Sequence, residues 1–193
     1  MDFRFLYHRI KYFIISPGKA WDVVYRENRP IKYVRGSFFL PLIIVVSVSS
    51  FFGSLLFTNV TLNPMYSVLV CIDAFLLLYL GVYASSFIVT EISKALDLGH
   101  DFVISFKLVA YSLTPLFLSL TISRLFESLL FINVLSLAGL YILWTGIVRM
   151  LNPPDHKKIP MVIATVISMI IIFTILQVAL SRMTEVIYFA FFA

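Results

Sequence analysis

An aspartate stands in the middle of one of the most apolar stretches of the chain, VLVCIDAFLLLYL, at position 73. A charged acid at the centre of a bilayer costs roughly 2.5–3.5 kcal/mol on insertion scales, so it is expected to face the interior of a helix bundle and to hold a partner there. Arg124, in the connector SRLFE, is the cation at the same end of the bundle that is able to reach inward, and an Asp73–Arg124 pair is the expectation. Three roles are open to Asp73: one half of a pair that fixes packing, part of a proton or ion route, or a neutral protonated carboxyl. A second polar group lies in FKLVAYSLTPLFLSLTIS, where Pro115 interrupts a helix and removes the donor for one carbonyl. In membranes a neighbouring hydroxyl or water can satisfy such a carbonyl. Tyr111, Ser112, Thr114 and Ser119 surround the break and supply the hydroxyls, either as ordinary packing contacts or as the wall of a polar cavity between the second and third spans.

Other constellations point away from catalysis. His100 with Asp97 and Asp101, and His156 with Asp155, lack the ligand number and spacing of a zinc site. The single cysteine, Cys71, lies in an apolar run and excludes both a disulfide framework and a cysteine-based metal site. The chain carries no P-loop, no Gly-rich dinucleotide fingerprint, no HExxH and no GxSxG. No enzyme, cofactor or metal is expected.

The elements that hold these residues follow from composition. Of 193 residues, 61% are hydrophobic and 13% charged, against about 25% charged in a soluble domain. A chain of this length cannot hide so much apolar surface in a globular core, so its solvent is lipid. A helix needs about 20 apolar residues to cross the hydrocarbon, and five stretches qualify: 36–58, 66–90, 105–122, 128–148 and 160–180. The fifth opens on Pro160, which suits a first helical turn. Residues 181–193, ending VIYFAFFA, are too short for a sixth span and are expected to form a short non-cytoplasmic tail in the interface. The expected class is all-α: a polytopic membrane protein whose 36–180 bundle of five transmembrane helices follows a cytoplasmic segment, 1–35. Lys and Arg set the orientation. With the N-terminus inside, thirteen of the fifteen fall on the cytoplasmic side and two, Arg124 and Arg182, outside. The sequon at Asn59 would then face the non-cytoplasmic side, where glycosylation is not expected so close to the membrane.

Segment 1–35 reads as two helices. Phe3, Leu6, Tyr7, Ile10, Phe13 and Ile14 form one helical stripe, with Arg4, His8 and Lys11 opposite and Arg9 beside them. This pattern suits a helix lying in the membrane surface, its aromatics in the acyl boundary and its cations toward anionic headgroups. The second helix opens at Ser16–Pro17, where Ser16 is a candidate cap, and runs to about Asn28. Trp21, Val24 and Tyr25 share one of its faces, and Lys19, Asp22 and Arg26 are expected to be exposed. Arg4, Arg9, Lys11 and Trp21 are thus the candidate residues for contact with the membrane surface or a partner. Trp21 could anchor to lipid, to the bundle or to another protein. The net charge of +5 is accounted for by juxtamembrane cations without nucleic acid.

Three stretches together are similar to a known family. RIKYFIISPGKAWDVV, FKLVAYSLTPLFLS with its Tyr111 and Pro115, and LAGLYILWTGIVRMLNPPDHKK with Gly146 resemble the prokaryotic members of the Yip family over residues 8–180. The family takes its name from eukaryotic proteins that interact with Ypt/Rab GTPases, and the resemblance implies a five-span membrane protein with its N-terminus inside. For eukaryotic members it implies vesicle trafficking, GTPase binding and membrane shaping. This chain lacks the long N-terminal cytosolic segment and the DLYGP-like stretch, so a small GTPase is not an expected partner and a bacterial or archaeal origin is. The expected function is a non-enzymatic protein of the cell (inner) membrane that organises or scaffolds through lipids, anionic on the cytoplasmic side, or through a membrane-protein partner or a second copy of itself. The alternative is a small transporter or channel with a polar route near Asp73, Arg124 and the Pro115 kink.

Overall fold

The computed structural model describes residues 3–57 and 64–192, and every element among them is helical. Asn59 and its sequon lie outside the described residues. Helix α1 (Phe3–Ile15) and helix α2 (Pro17–Glu27) meet at Ser16. Pro17 occupies the first turn of α2, but the Ser16 side chain makes no capping bond. The break rests on backbone geometry instead: the Ser16 N–H closes α1 on the Tyr12 carbonyl, and its own carbonyl opens α2 by accepting from Ala20. Helix α2 stops where Asn28 turns left-handed (φ 37°) and bonds back to the Val24 carbonyl at 3.2 Å.

The first span starts earlier than its apolar run. Helix α3 (Ile31–Val34) passes through a π-helical turn (Arg35–Phe39) into α4 (Leu40–Phe57), so Ile31–Leu56 forms one long apolar rod. Helix α5 (Pro64–Ala95) has 32 residues, about 48 Å at 1.5 Å per residue, and so outruns the hydrocarbon core. Asp101 caps α6 (Phe102–Ser112) by accepting from the Val103 N–H at 2.7 Å. Helices α6 and α7 (Thr114–Leu125) are bent by 42° at Leu113, just before Pro115. A 3₁₀ stretch (Glu127–Leu137), kinked at Leu129, leads into α8 (Ala138–Met150). Helix α9 (Asp155–Phe192) closes the chain.

Among the described residues four helices are long and apolar enough to cross a membrane, and the number is five if the bent α6–α7 pair is one span. The fifth expected span needs correcting at both ends. Helix α9 begins at Asp155, an acid well placed at a helix N-terminus, so Pro160 lies inside the helix rather than in its first turn. At the other end no break sets residues 181–193 apart, and α9 runs on as one helix to Phe192. Helix α5 packs between α4 and α9, α7 packs on α4 and on the 3₁₀ stretch, and α6 sits against α5 and α8. Isoleucines such as Ile163, Ile167, Ile170 and Ile171 are exposed along α9, as a lipid-facing surface requires.

Candidate functional site

At the N-terminal end of the bundle, α1 and α2 are docked onto the spans. Trp21 is fully buried, and its Nε1–H donates to the Ile142 carbonyl of α8 at 2.9 Å. Its indole stands edge-on to Phe13 (centroids 4.9 Å apart) and to Tyr111 (5.8 Å). Tyr111 in turn stacks on Phe13 at 4.6 Å and meets Phe38 at 4.6 Å. Gly146 provides the room: a β-carbon there would lie 2.6 Å from the Trp21 ring and 2.8 Å from Leu108. Of the three anchors open to Trp21, the bundle is the one it uses.

Arg9 also departs from expectation. It is 5% exposed, so it does not face headgroups. Its guanidinium pairs with Glu27 at 2.5 Å and lies 4.9 Å from the Phe5 ring centroid and 5.9 Å from that of Tyr111. Glu27 also pairs with Arg29 at 2.8 Å, and Arg29 lies over Tyr33 at 4.2 Å. The helical stripe of α1 is divided between two environments. Phe13 is fully buried and Leu6 and Ile10 pack partly on the core, while Tyr7 and Ile14 are exposed. Arg4 and Lys11 are exposed, as are His8, Lys19 and Arg26. Lys107 is buried within the second turn of α6.

The kink has the chemistry expected of it. Pro115 cannot donate to the Tyr111 carbonyl, and the Thr114 hydroxyl does so at 2.6 Å. Ser119 donates to the Leu116 carbonyl at 3.0 Å, while the buried Ser112 hydroxyl has no partner. This cluster faces aromatic and aliphatic packing and does not join Asp73 and Arg124.

Those two residues line a separate polar cavity of about 520 Å³ at the opposite end of the bundle. Its wall takes residues from four spans and the 3₁₀ stretch: Ser50, Gly53 and Ser54 from α4, Tyr66 and Asp73 from α5, Ser123 and Arg124 from α7, Asn133 from the 3₁₀ stretch, and Gln177, Ser181, Thr184 and Glu185 from α9. No ion pair joins Asp73 to Arg124. Asp73 instead accepts a hydrogen bond from the Thr184 hydroxyl at 3.3 Å. Ser123 donates to Asn133 Oδ1 at 2.9 Å, and Gln177 donates to Ser181 at 2.9 Å. No residue of the α9 wall is among those singled out from the sequence, although Gln177, Ser181 and Thr184 recur at four and three residues after a long apolar run. That is a polar stripe at helical spacing. His100, which had no expected metal role, bonds to Glu91 at 3.2 Å, and no metal-binding cluster occurs among the described residues.

Fold and cavity together define a polytopic, all-α membrane protein with a polar recess in one end of its bundle. The family model of the Yip1 domain matches residues 11–176, and the chain belongs to the Yip family of membrane proteins. No curated protein and no solved structure matches it. The match takes in Trp21, Tyr111 and Gly146 and ends one residue before the polar stripe of α9 begins at Gln177.

Proposed function

We propose that this is a non-enzymatic membrane-organising protein of the cell (inner) membrane, oriented with α1 and α2 in the cytoplasm and the end of α9 outside. Its work is interaction with lipids, and through them or directly with other membrane proteins or a second copy of itself. The observation that carries this reading is the two-sided build of the N-terminal cap. Its inner side is bound to the bundle through Phe13 and Trp21. Its outer side presents Arg4, His8, Lys11, Lys19 and Arg26 with exposed Tyr7 and Tyr25. Cations held at a fixed height beside a leaflet are each worth about 1 kcal/mol toward anionic lipid.

The transport alternative has less support. The cavity that holds Asp73 and Arg124 does not include the kink residues Tyr111 to Pro115. Phe39, Phe106, Phe117, Tyr79 and Tyr83 pack as one aromatic cluster between the spans. The test is lipid retention by the full chain purified in mild detergent from a mixed bilayer, read by native mass spectrometry. Replacing Arg4, Lys11, Lys19 and Arg26 together by serine is expected to reduce the enrichment of phosphatidylglycerol several-fold while leaving the fold intact. Unchanged enrichment refutes the leaflet-gripping reading.

A further inference from the structure

We infer that the cavity at the far end of the bundle is a binding site for a compact zwitterion of the phosphoethanolamine type, its protonated amine held by Asp73 and its phosphate by Arg124. This goes beyond the function proposed above and does not depend on the basic surface of α1 and α2. Polar side chains from every span converge on one recess of about 520 Å³, within the size range of small-molecule sites. Inside a membrane protein such a lining is costly unless it meets water or a polar ligand.

The charges decide the ligand class. Asp73 is half-buried and has a single neutral hydroxyl on it, from Thr184. Arg124 is exposed and enters no ion pair among the described residues, whereas Glu185 has Arg182 nearby at 3.9 Å. A simple cation would suit Asp73 and be repelled by Arg124, and a simple anion the reverse. A ligand with both signs suits both.

Spacing narrows the class. Gly53 abuts the Arg124 backbone, and its neighbour Ser54 accepts a hydrogen bond from Ser67, so Arg124 lies level with the second turn of α5. Asp73 is five or six residues further along α5, about 8 Å deeper at 1.5 Å per residue. An α-amino acid carries its two charges on adjacent carbons and is short for that gap. An amine and a phosphate separated by two carbons and an oxygen reach better. The guanidinium fork suits a phosphate, and Asn133, whose Oδ1 is taken by Ser123, keeps its amide nitrogen as a second donor on that wall.

This chemistry has two sources, a phosphatidylethanolamine headgroup or a free phosphorylated amine outside the membrane. The full chain with Arg4, Lys11, Lys19 and Arg26 replaced by serine, which takes the basic surface of α1 and α2 out of the comparison, is purified in mild detergent, offered equal phosphatidylethanolamine and phosphatidylglycerol and read by native mass spectrometry. In parallel it is titrated with free phosphoethanolamine, ethanolamine and inorganic phosphate while thermal stability is followed. Preferential retention of phosphatidylethanolamine supports the site with lipid as its source. Stabilisation by phosphoethanolamine, beyond that by ethanolamine or phosphate alone, supports it with a soluble source. Asp73→Asn and Arg124→Gln are each expected to weaken binding about tenfold, the loss of one charge-assisted contact, and Asp73→Glu to retain most of it. Equal retention of both lipids with no response to phosphoethanolamine, in that serine-substituted background, overturns the inference whatever the Asp73 and Arg124 variants do. Wild-type binding in both charge variants, folded by their elution and melting, overturns it as well.

Discussion

Gly146→Ala is the smallest change that tests how the N-terminal cap is attached. The added methyl would lie 2.6 Å from Trp21 Cε2 and Cζ2 and 2.8 Å from Leu108 Cδ2. The indole cannot swing away cheaply. Its N–H is tied to the Ile142 carbonyl, and Phe13 and Tyr111 enclose its ring at 4.9 and 5.8 Å. Overpacking at a closed site costs about 1–3 kcal/mol, which outweighs the gain of somewhat under 1 kcal/mol that alanine brings to a helix interior. The chain has two tryptophans, and Trp144 is 38% exposed. In a Trp144→Phe background, Trp21 alone reports on the junction. Gly146→Ala should lower the SDS or thermal unfolding midpoint and shift Trp21 emission to the red. Gly18→Ala, with nothing within 4 Å of the added carbon, should leave both nearly unchanged. Pairing Gly146→Ala with Trp21→Leu, read by melting, should recover part of the loss as a coupling of about 0.5–3 kcal/mol. A Gly146→Ala protein as stable as its parent, with unshifted emission, refutes the docking described here.

Two further expectations concern the kink and the orientation. Thr114→Val removes the hydroxyl that answers the Tyr111 carbonyl and should cost about 0.5–1.5 kcal/mol in reversible unfolding, with Thr114→Ser close to wild type; equal stability of both variants would mean that the bond is idle. Reporter fusions after Phe126 and Ala193 should read outside, and fusions after Leu98 and Pro154 inside; any reversal breaks the proposed topology.

The parts of the fold legible in the sequence are those set by composition along short stretches of the chain. Five apolar stretches, their punctuation and the break at Ser16–Pro17 are local or nearly local signals, and the helices follow them. Boundaries moved where polar residues could be carried inside a helix. Ile31 to Arg35 extend the first span because a helix projecting beyond the hydrocarbon core keeps its backbone bonded whatever its side chains. The sites were less legible because they are made by tertiary contact. Amphipathic spacing puts Arg9 beside the headgroup-facing cations and leaves Trp21 open between lipid, bundle and partner, because spacing does not say whether lipid or protein covers a face. Glu27, the partner that makes burying Arg9 tolerable, is 18 residues away. Asp73 was recognised as a residue in need of company, but its nearest bond comes from Thr184, 111 residues on. The stripe in α9 was readable in principle and was obscured by the strong apolar character around it.

The docking of the cap also changes which experiments can separate the two ends of this protein. Removing residues 1–15 would take away the exposed cations Arg4 and Lys11, but it would also remove Phe13, which packs between Trp21 and Tyr111 in the core. A deletion phenotype would therefore mix loss of the exposed cations with loss of the junction. The outward cations can be changed singly because their side chains lie outside the buried cluster. Arg9 must be excluded from that set, since it is itself buried, paired with Glu27 and packed against Phe5 and Tyr111, so its removal would disturb the junction. The motif stretches that carry the family resemblance, around Trp21, Tyr111 and Gly146, meet at this junction. The shared sequence thus reads first as the specification of how the cap is joined to the bundle. Function specific to this chain is better sought in what lies outside that junction: the exposed cations of α1 and α2, and the polar wall of α9 beyond residue 176.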